Sequence, residues 1–138
     1  MADETFIDTS GFYALLVFRD RRHGAAREHL QRASRAGSRL LTTDYVLDEA
    51  VTLLRARGHG HLVGPLFATI DQSAAMRVEW TGQDRFNEAR AFCLRHADKP
   101  WSFTDCVSFV AMHAHGVRDA LTSDSHFEQA GFRRLLSA

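Results

Sequence analysis

Residues Thr5-Phe6-Ile7-Asp8 join a short apolar run directly to an acidic residue. The run is too short for a helix, and its bulky side chains are typical of a strand buried on both faces. Three later segments share this form, and each is followed by a polar or acidic side chain: Leu40-Leu41-Thr42, Met76-Arg77-Val78 and Ala120-Leu121-Thr122. The sequence therefore predicts four short strands of a buried sheet.

Longer segments with helical spacing separate these runs. Strands that alternate with helices form parallel sheets, because each crossover returns the chain to the same edge. We therefore expect an α/β fold, a three-layer α/β/α sandwich with a central parallel sheet. Apolar residues at intervals of three or four mark the helices, in four groups: Ala26, Leu30 and Ala33; Leu47, Val51 and Leu54; Phe86, Ala89 and Cys93; and Phe103, Val107, Val110 and Ala114.

The size and composition are those of an ordinary globular protein, with 138 residues, 45% of them apolar and 25% charged. Such a chain can bury one core, so we expect a single domain over residues 1–138. Two cysteines, Cys93 and Cys106, are too few for a disulfide-rich secreted scaffold and favour the cytoplasm. The acidic N-terminus and the short apolar run at residues 12–18 argue against a signal peptide and a membrane span.

Basic residues are concentrated in one part of the chain, although 17 basic and 17 acidic residues give a formal net charge of zero. Residues 19–57 contain nine arginines against five acids. Guanidinium groups bind phosphates through paired hydrogen bonds, so this segment is a candidate for contact with a nucleic-acid backbone. The alternative is that these arginines only lie on solvated helix faces. The residues selected as candidates are Arg21, Arg22 and Arg27.

Several carboxylates follow the predicted strands or lie in the helices next to them. The carboxyl ends of parallel strands meet at one edge of the sheet, where such folds bind their ligands. Crowded carboxylates repel one another unless a cation neutralises them, and oxygen donors suit Mg²⁺ or Mn²⁺. The pattern therefore favours hydrolysis of a phosphodiester by a metal-activated water. The acids at this edge are Asp8, Asp44, Glu49, Asp105 and Asp124.

Each acid except Asp8, taken singly, is better explained by a structural role. Glu49 would be a solvated helix residue, and Asp44 and Asp124 would cap helices. It is the conjunction of these acids that favours a metal site. The sequence predicts three capping boxes: Ser102 with Asp105, Thr81 with Asp84, and Ser125 with Glu128. The box of Ser125 and Glu128 would leave Asp124 free to face a metal ion.

Four motifs follow one another along the chain: Phe6-Ile7-Asp8-Thr9-Ser10; residues 43–49, ending in Val46-Leu47-Asp48-Glu49; Ser102-Phe103-Thr104-Asp105-Cys106; and Leu121-Thr122-Ser123-Asp124-Ser125-His126-Phe127, with Gly131-Phe132. Together they resemble the ordered motifs of PIN-domain proteins and, more narrowly, of VapC-type toxins of bacterial toxin–antitoxin pairs. The resemblance covers essentially the whole chain, and residues 102–132 are its most specific part.

The resemblance implies a metal-dependent endoribonuclease that uses Mg²⁺ or Mn²⁺. Asp44 and Asp48 do not match the family's main acidic positions and are interpreted as a helix cap and a solvated acid. Hydroxyl groups that orient a carboxylate or a bound water are implied at Thr9 or Ser10 and at Thr104. The catalytic, metal-binding acids implied by the resemblance are Asp8, Glu49, Asp105 and Asp124.

The resemblance also implies RNA as substrate and a cognate antitoxin as partner, and we expect a homodimer with no membrane association. The antitoxin would lie across an apolar face near the first helices and present a basic side chain to the acidic site. The residues predicted to form this face are Phe12, Tyr13, Leu16 and Phe18.

The sequence raises two other interpretations. A catalytically weak PIN-fold module that binds protein or RNA is the alternative function, and the presence of all four acids favours the enzyme. A zinc site is not expected, because residues two apart on a helix point to different faces. The two His-x-His pairs concerned are His59 with His61 and His113 with His115.

Overall fold

The computed structural model describes residues 3–137, in which five short strands form one parallel sheet. The strand order is β3-β2-β1-β4-β5, so β1 lies at the centre. The sequence does not predict β5, because two residues are too few to show an alternating pattern. The strands are β1 (Glu4–Ile7), β2 (Arg39–Thr43), β3 (Met76–Glu79), β4 (Asp119–Leu121) and β5 (Arg133–Arg134).

Helices connect the strands, and the longest of them have 13 residues. Between residues 3 and 137 no helix has the length and apolar character needed to cross a membrane. A single turn of 3₁₀ helix, Gly60–Leu62, precedes α4. The α-helices are α1 (Thr9–Leu16), α2 (His23–Arg35), α3 (Asp44–Ala56), α4 (Val63–Gln72), α5 (Gln83–Arg95), α6 (Phe103–His115) and α7 (Ser125–Gln129).

Neighbouring residues of β1 face opposite sides of the sheet, and helices cover both sides. Phe6 contacts Phe127 of α7, with ring centroids 6.2 Å apart, and Phe127 packs edge-on against Phe109 of α6. Ile7 faces the other side, in a groove that it shares with Leu15 of α1 and Leu30 of α2. Because alternate side chains of a strand point to opposite faces, this packing produces the predicted α/β/α sandwich.

The start of α3 differs from the expectation. Thr43 caps this helix by accepting a hydrogen bond from the Val46 amide, so Asp44 is not the cap. Asp44 instead accepts hydrogen bonds from the amide and hydroxyl of Thr81, at 3.1 and 2.6 Å. Thr81 therefore links two strand ends and does not form the predicted box, since Gly82 precedes α5. Asp48 is exposed, as predicted.

Candidate active site

Asp8 lies where β1 ends and α1 begins. Its Oδ1 accepts hydrogen bonds from the Gly11 amide (2.9 Å) and the Ser10 hydroxyl (2.8 Å). Its Oδ2 accepts one from the Thr122 hydroxyl (2.7 Å). The carboxylate caps α1 and is almost fully buried. Groups from the first and last quarters of the chain therefore fix Asp8 in one orientation.

Gly11 allows α1 to approach β4 closely. A Cβ atom at this position would collide with the carbonyl oxygen of Leu121, so glycine is required here. The approach brings Ser10 beside the loop after β4, where Ser10 Oγ accepts a hydrogen bond from the Ser123 amide at 3.0 Å. The first and fourth sequence motifs are thereby joined directly.

Burial raises the pKa of Asp8 from 3.8 to about 7. Hydrogen bonds from Thr122, Gly11 and Ser10 favour the carboxylate and lower this pKa, whereas the charge of Asp124 raises it. A cation beside Asp8 would favour the ionised form, because opposite charges stabilise each other. The burial of this acid is therefore more typical of a binding site than of a simple helix cap.

Asp105 lies in the first turn of α6 and forms the predicted capping box. Its amide donates to the Ser102 hydroxyl (3.0 Å), and its Oδ2 accepts from the Ser102 amide (3.2 Å). Burial and then the charge of Asp124 raise the pKa of Asp105, while hydrogen bonds from Ser102 and His126 lower it. Asp105 can therefore cap α6 and line the candidate active site at the same time.

Asp124 caps α7, which corrects the predicted box of Ser125 and Glu128. Its Oδ1 accepts a hydrogen bond from the His126 amide at 2.9 Å, and Ser125 is the first residue of the helix. The side chain of Asp124 is about one-third exposed, more than that of Asp105. Asp124 is therefore less constrained by burial than the two acids beside it.

The four predicted acids line one cavity of about 150 Å³ at the carboxyl edge of the sheet. Glu49 reaches it from the second turn of α3 and is partly buried. The structure thus brings together residues that lie far apart in sequence. Apart from the three candidate arginines, every predicted site residue lines this cavity: Asp8, Thr9, Ser10, Glu49, Thr104, Asp105 and Asp124.

The Thr9 hydroxyl is the one buried side-chain polar atom without a hydrogen-bond partner among residues 3–137. Buried polar groups in proteins nearly always have a partner. Thr9 lines the cavity, so a polar group entering the cavity could satisfy it. This observation agrees with the oxygen-rich donor set in favouring a hydrated cation or a polar substrate there.

The three candidate arginines lie at the start of α2 and just before it. Arg21 and Arg27 are exposed, and Arg22 Nε donates to the Ser137 carbonyl at 2.7 Å. Ser137 follows Leu136, whose amide donates to the Thr122 carbonyl. Arg22 is therefore held near the edge of the sheet that carries the carboxylates.

The predicted apolar partner face is largely absent. Phe12 is buried in the core, and Tyr13 and Leu16 are partly buried. Only Phe18 is strongly exposed, at 82%, because it lies on the turn after α1 and not on the helix.

The two His-x-His pairs form no metal cluster within the described part of the chain. His115 Nε2 instead donates a hydrogen bond to the carboxylate of Glu79, at 2.8 Å. One group of potential ligands is found between residues 3 and 137, and it consists of Asp105, Asp124 and His126. His126 belongs to the fourth motif of the sequence but is not among the predicted site residues. Its only sequence signal is a polar ring two residues after an acid.

The family model for the PIN domain matches residues 5–133. The chain belongs to the PIN-domain family. It is 36% identical over 127 residues to the 23S rRNA-specific endonuclease VapC20 of Mycobacterium tuberculosis, in strains CDC 1551/Oshkosh and H37Rv. That match covers 92% of this chain and 94% of the relative.

Two solved structures are similar over nearly the whole chain. The crystal structure of Mycobacterium tuberculosis VapC20, a sarcin–ricin loop cleaving toxin, has a TM-score of 0.83 and 31% identity, covering 96% of this chain and 98% of that one. VapBC2 from Rickettsia felis, bound to a DNA fragment from its promoter, has a TM-score of 0.66 at 10% identity, covering 95% and 96%. The latter shows the fold alone.

These findings confirm the predicted PIN fold and the similarity to VapC-type toxins, and with them the class of activity, a ribonuclease. All four motifs lie within the matched residues 5–133. The roles of the individual side chains stay predictions.

Proposed function

We propose that the protein is a metal-dependent endoribonuclease, the toxin of a type II toxin–antitoxin pair, and that residues 1–138 act as one unit. The observation that carries this proposal is the meeting of four carboxylates from four separate segments at one cavity. Asp8, Glu49, Asp105 and Asp124 are the proposed catalytic residues. RNA phosphodiester hydrolysis is the reaction that such a site supports best.

Mg²⁺ or Mn²⁺ fits the residues that line the cavity. The donors are carboxylate and hydroxyl oxygens, which are hard ligands, and the Thr9 hydroxyl lacks a partner among residues 3–137. The four acids would hold the cation. When bound, it would stabilise negative charge on the phosphate and activate a water for attack.

The surrounding hydroxyl groups differ in what they can do. Ser10 Oγ donates to Asp8 and accepts from the Ser123 amide, so its hydrogen bonds serve the carboxylate and the loop after β4. Thr9 Oγ1 makes no hydrogen bond to any of the described residues. We assign Ser10 to holding Asp8 in place, and Thr9, together with Thr104, to orienting a water or a phosphate oxygen.

We propose that the substrate is the sarcin–ricin loop of 23S rRNA, in the cytoplasm. The support is the 36% identity to a 23S rRNA-specific endonuclease and the similarity to a sarcin–ricin loop cleaving toxin. Phosphates flanking the scissile bond would follow the basic surface at Arg21, Arg22 and Arg27, since Arg22 is tied to the edge of the sheet beside Thr122.

We propose a cognate antitoxin as the protein partner, bound at a groove that replaces the face predicted from the sequence. The groove has a volume of about 410 Å³, is mainly apolar, and includes the exposed Arg27 in its lining. A homodimer is also proposed, and light scattering of the purified chain would test it. The apolar residues of the groove include Ile7, Leu15, Leu30, Leu40 and Met76.

Cleavage of a sarcin–ricin loop RNA, with Mg²⁺, with Mn²⁺ and with EDTA, tests the proposed reaction. Asp8→Asn, Glu49→Gln and Asp105→Asn should each abolish cleavage, because a neutral amide keeps the shape but not the charge that a cation needs. Cooperative unfolding of each variant must be retained. Asp48→Asn is the matched control, since Asp48 adjoins Glu49 but is exposed.

Cleavage at the wild-type rate by the Asp8 and Asp105 variants would disprove the assignment of the site. Specific RNA binding by the wild type without any metal-dependent cleavage would favour the alternative, a binding module with the PIN fold.

A further inference from the structure

His126 bridges two of the four carboxylates. Its Nδ1 lies 3.1 Å from Asp105 Oδ2 and 3.4 Å from Asp124 Oδ1. Carboxylate oxygens only accept hydrogen bonds, so Nδ1 carries the hydrogen in this arrangement. The Nδ1 hydrogen bonds to Asp105, and the same nitrogen lies at ion-pair distance from Asp124, between two acids that would otherwise repel each other.

The position of the imidazole is set by the fold. The His126 amide donates to Asp124 Oδ1 at the start of α7. The next residue, Phe127, is fully buried and packs against Phe6 and Phe109. These two contacts fix the backbone at His126. Its side chain is about one-quarter exposed, and Nδ1 faces Asp105 and Asp124.

The bridge determines which oxygen of Asp105 is available. Oδ2 accepts hydrogen bonds from both the Ser102 amide and His126 Nδ1. Oδ1 accepts none from residues 3–137, and Asp105 lines the cavity. Oδ1 is therefore the oxygen left for a ligand.

We propose that His126 is a positioning residue of the nuclease, which holds Asp105 and Asp124 side by side through Nδ1 and leaves Asp105 Oδ1 for the cation. The inference rests on the proposed metal-dependent function. Residues that hydrogen-bond metal ligands commonly change metal affinity by about 10- to 100-fold when replaced.

Three substitutions of His126 distinguish the role of Nδ1 from that of Nε2. In His126→Asn the amide nitrogen takes the place of Nδ1, so the bridge can persist. In His126→Gln the amide reaches the place of Nε2, and in His126→Ala no donor is left. If His126 acts through the Nδ1 hydrogen bond, His126→Asn should retain the Mn²⁺ affinity that His126→Ala and His126→Gln lose.

Mn²⁺ binding to the full chain, measured by calorimetry and by electron spin resonance, is the test. We expect affinity to fall about tenfold or more in His126→Ala and His126→Gln, and by less than about threefold in His126→Asn. His115→Ala is the matched control, because His115 is similarly exposed and also contacts a carboxylate, that of Glu79. It should bind Mn²⁺ like the wild type. Unfolding curves identify any variant that fails to fold, and Gln then stands in for Ala.

Wild-type affinity in both His126→Ala and His126→Gln would overturn the inference, as would an equal loss in His126→Asn and His126→Ala. Nitrogen hyperfine coupling to bound Mn²⁺ that disappears in His126→Ala would also overturn it, since the ring would then be a ligand itself. A wild-type protein that binds Mn²⁺ but cleaves no RNA would disprove the proposed function and not this inference.

Discussion

Thr122 Oγ1 donates a hydrogen bond to Asp8 Oδ2 at 2.7 Å and so connects residues 114 positions apart. The same oxygen accepts a hydrogen bond from the Asp124 amide at 2.9 Å and lies 3.1 Å from Ser10 Oγ. Thr122 is fully buried. A single hydroxyl group therefore ties the carboxylate after β1 to the loop that carries Asp124.

Thr122→Val should weaken Mn²⁺ binding by about tenfold at neutral pH. The Thr122 hydrogen bond lowers the pKa of Asp8, so its loss raises that pKa further. A cation needs the ionised carboxylate, and the deficit should shrink at about pH 9, where Asp8 is ionised in both proteins. Calorimetry at several pH values checks this. Thr122→Ser keeps the hydroxyl and is the control; equal losses in Ser and Val would contradict the explanation.

The stability of the metal-free protein should fall as the pH rises towards 7. Asp8 has a pKa of about 7 in the folded state and 3.8 as the ordinary value, so the folded state holds this proton more tightly. Between these values the unfolded state releases the proton first, and this group's contribution to stability is lost with rising pH. Urea unfolding in EDTA, at a series of pH values, measures the effect.

Asp8→Asn should remove this group's pH dependence and unfold with a free energy higher by up to about 4 kcal/mol in EDTA above pH 7. The advantage should narrow at about pH 4. Mn²⁺ should stabilise the wild type more than the variant, because only the wild type retains the full charge of the site. If the unfolding free energies of the two proteins change with pH in parallel, the ionisation of Asp8 does not destabilise the fold, and the prediction is wrong.

Much of the fold follows from local patterns. The runs that became β1 to β4 are short, apolar and bounded by polar residues, and helical spacing separates them. Because parallel strands share an edge, acids after different strands could be expected to meet. The sequence alone therefore predicts that Asp8 and Asp124 lie at this edge, without any knowledge of side-chain contacts.

Local patterns could not reveal contacts between distant segments. His126 reaches Asp105 across 21 residues, and Thr122 reaches Asp8 across 114, through the packing of α6, α7 and β1. The predicted box of Ser125 and Glu128 obeys the capping pattern, yet the preceding residue, Asp124, caps the helix. The two possible caps, Asp124 and Ser125, differ by one residue in where the helix begins, and the sequence pattern fits both.

Replacing Arg21, Arg22 and Arg27 together with glutamine should weaken RNA binding and flatten its dependence on salt. Three lost phosphate contacts would reduce the slope of log affinity against log salt concentration by about 2. Binding is measured by fluorescence anisotropy in EDTA, so that cleavage does not interfere. The control replaces Arg32, Arg35 and Arg39, which lie towards the opposite edge of the sheet. An unchanged slope would mean that the first three arginines are only solvated.

Asp124 should matter less for cleavage than Asp8, because its side chain is about one-third exposed and solvent screens its charge. Asp124→Asn keeps a good helix cap, so it should lower activity less than Asp8→Asn, without a large change in stability, and higher Mn²⁺ should partly restore cleavage. Asp124→Ala removes the cap as well and should cost about 1 kcal/mol in unfolding free energy. Cleavage rates against Mn²⁺ concentration and urea unfolding separate the two effects. If Asp124→Asn leaves Mn²⁺ affinity and cleavage unchanged while Asp124→Ala only loses stability, Asp124 is a helix cap and the site has three acids.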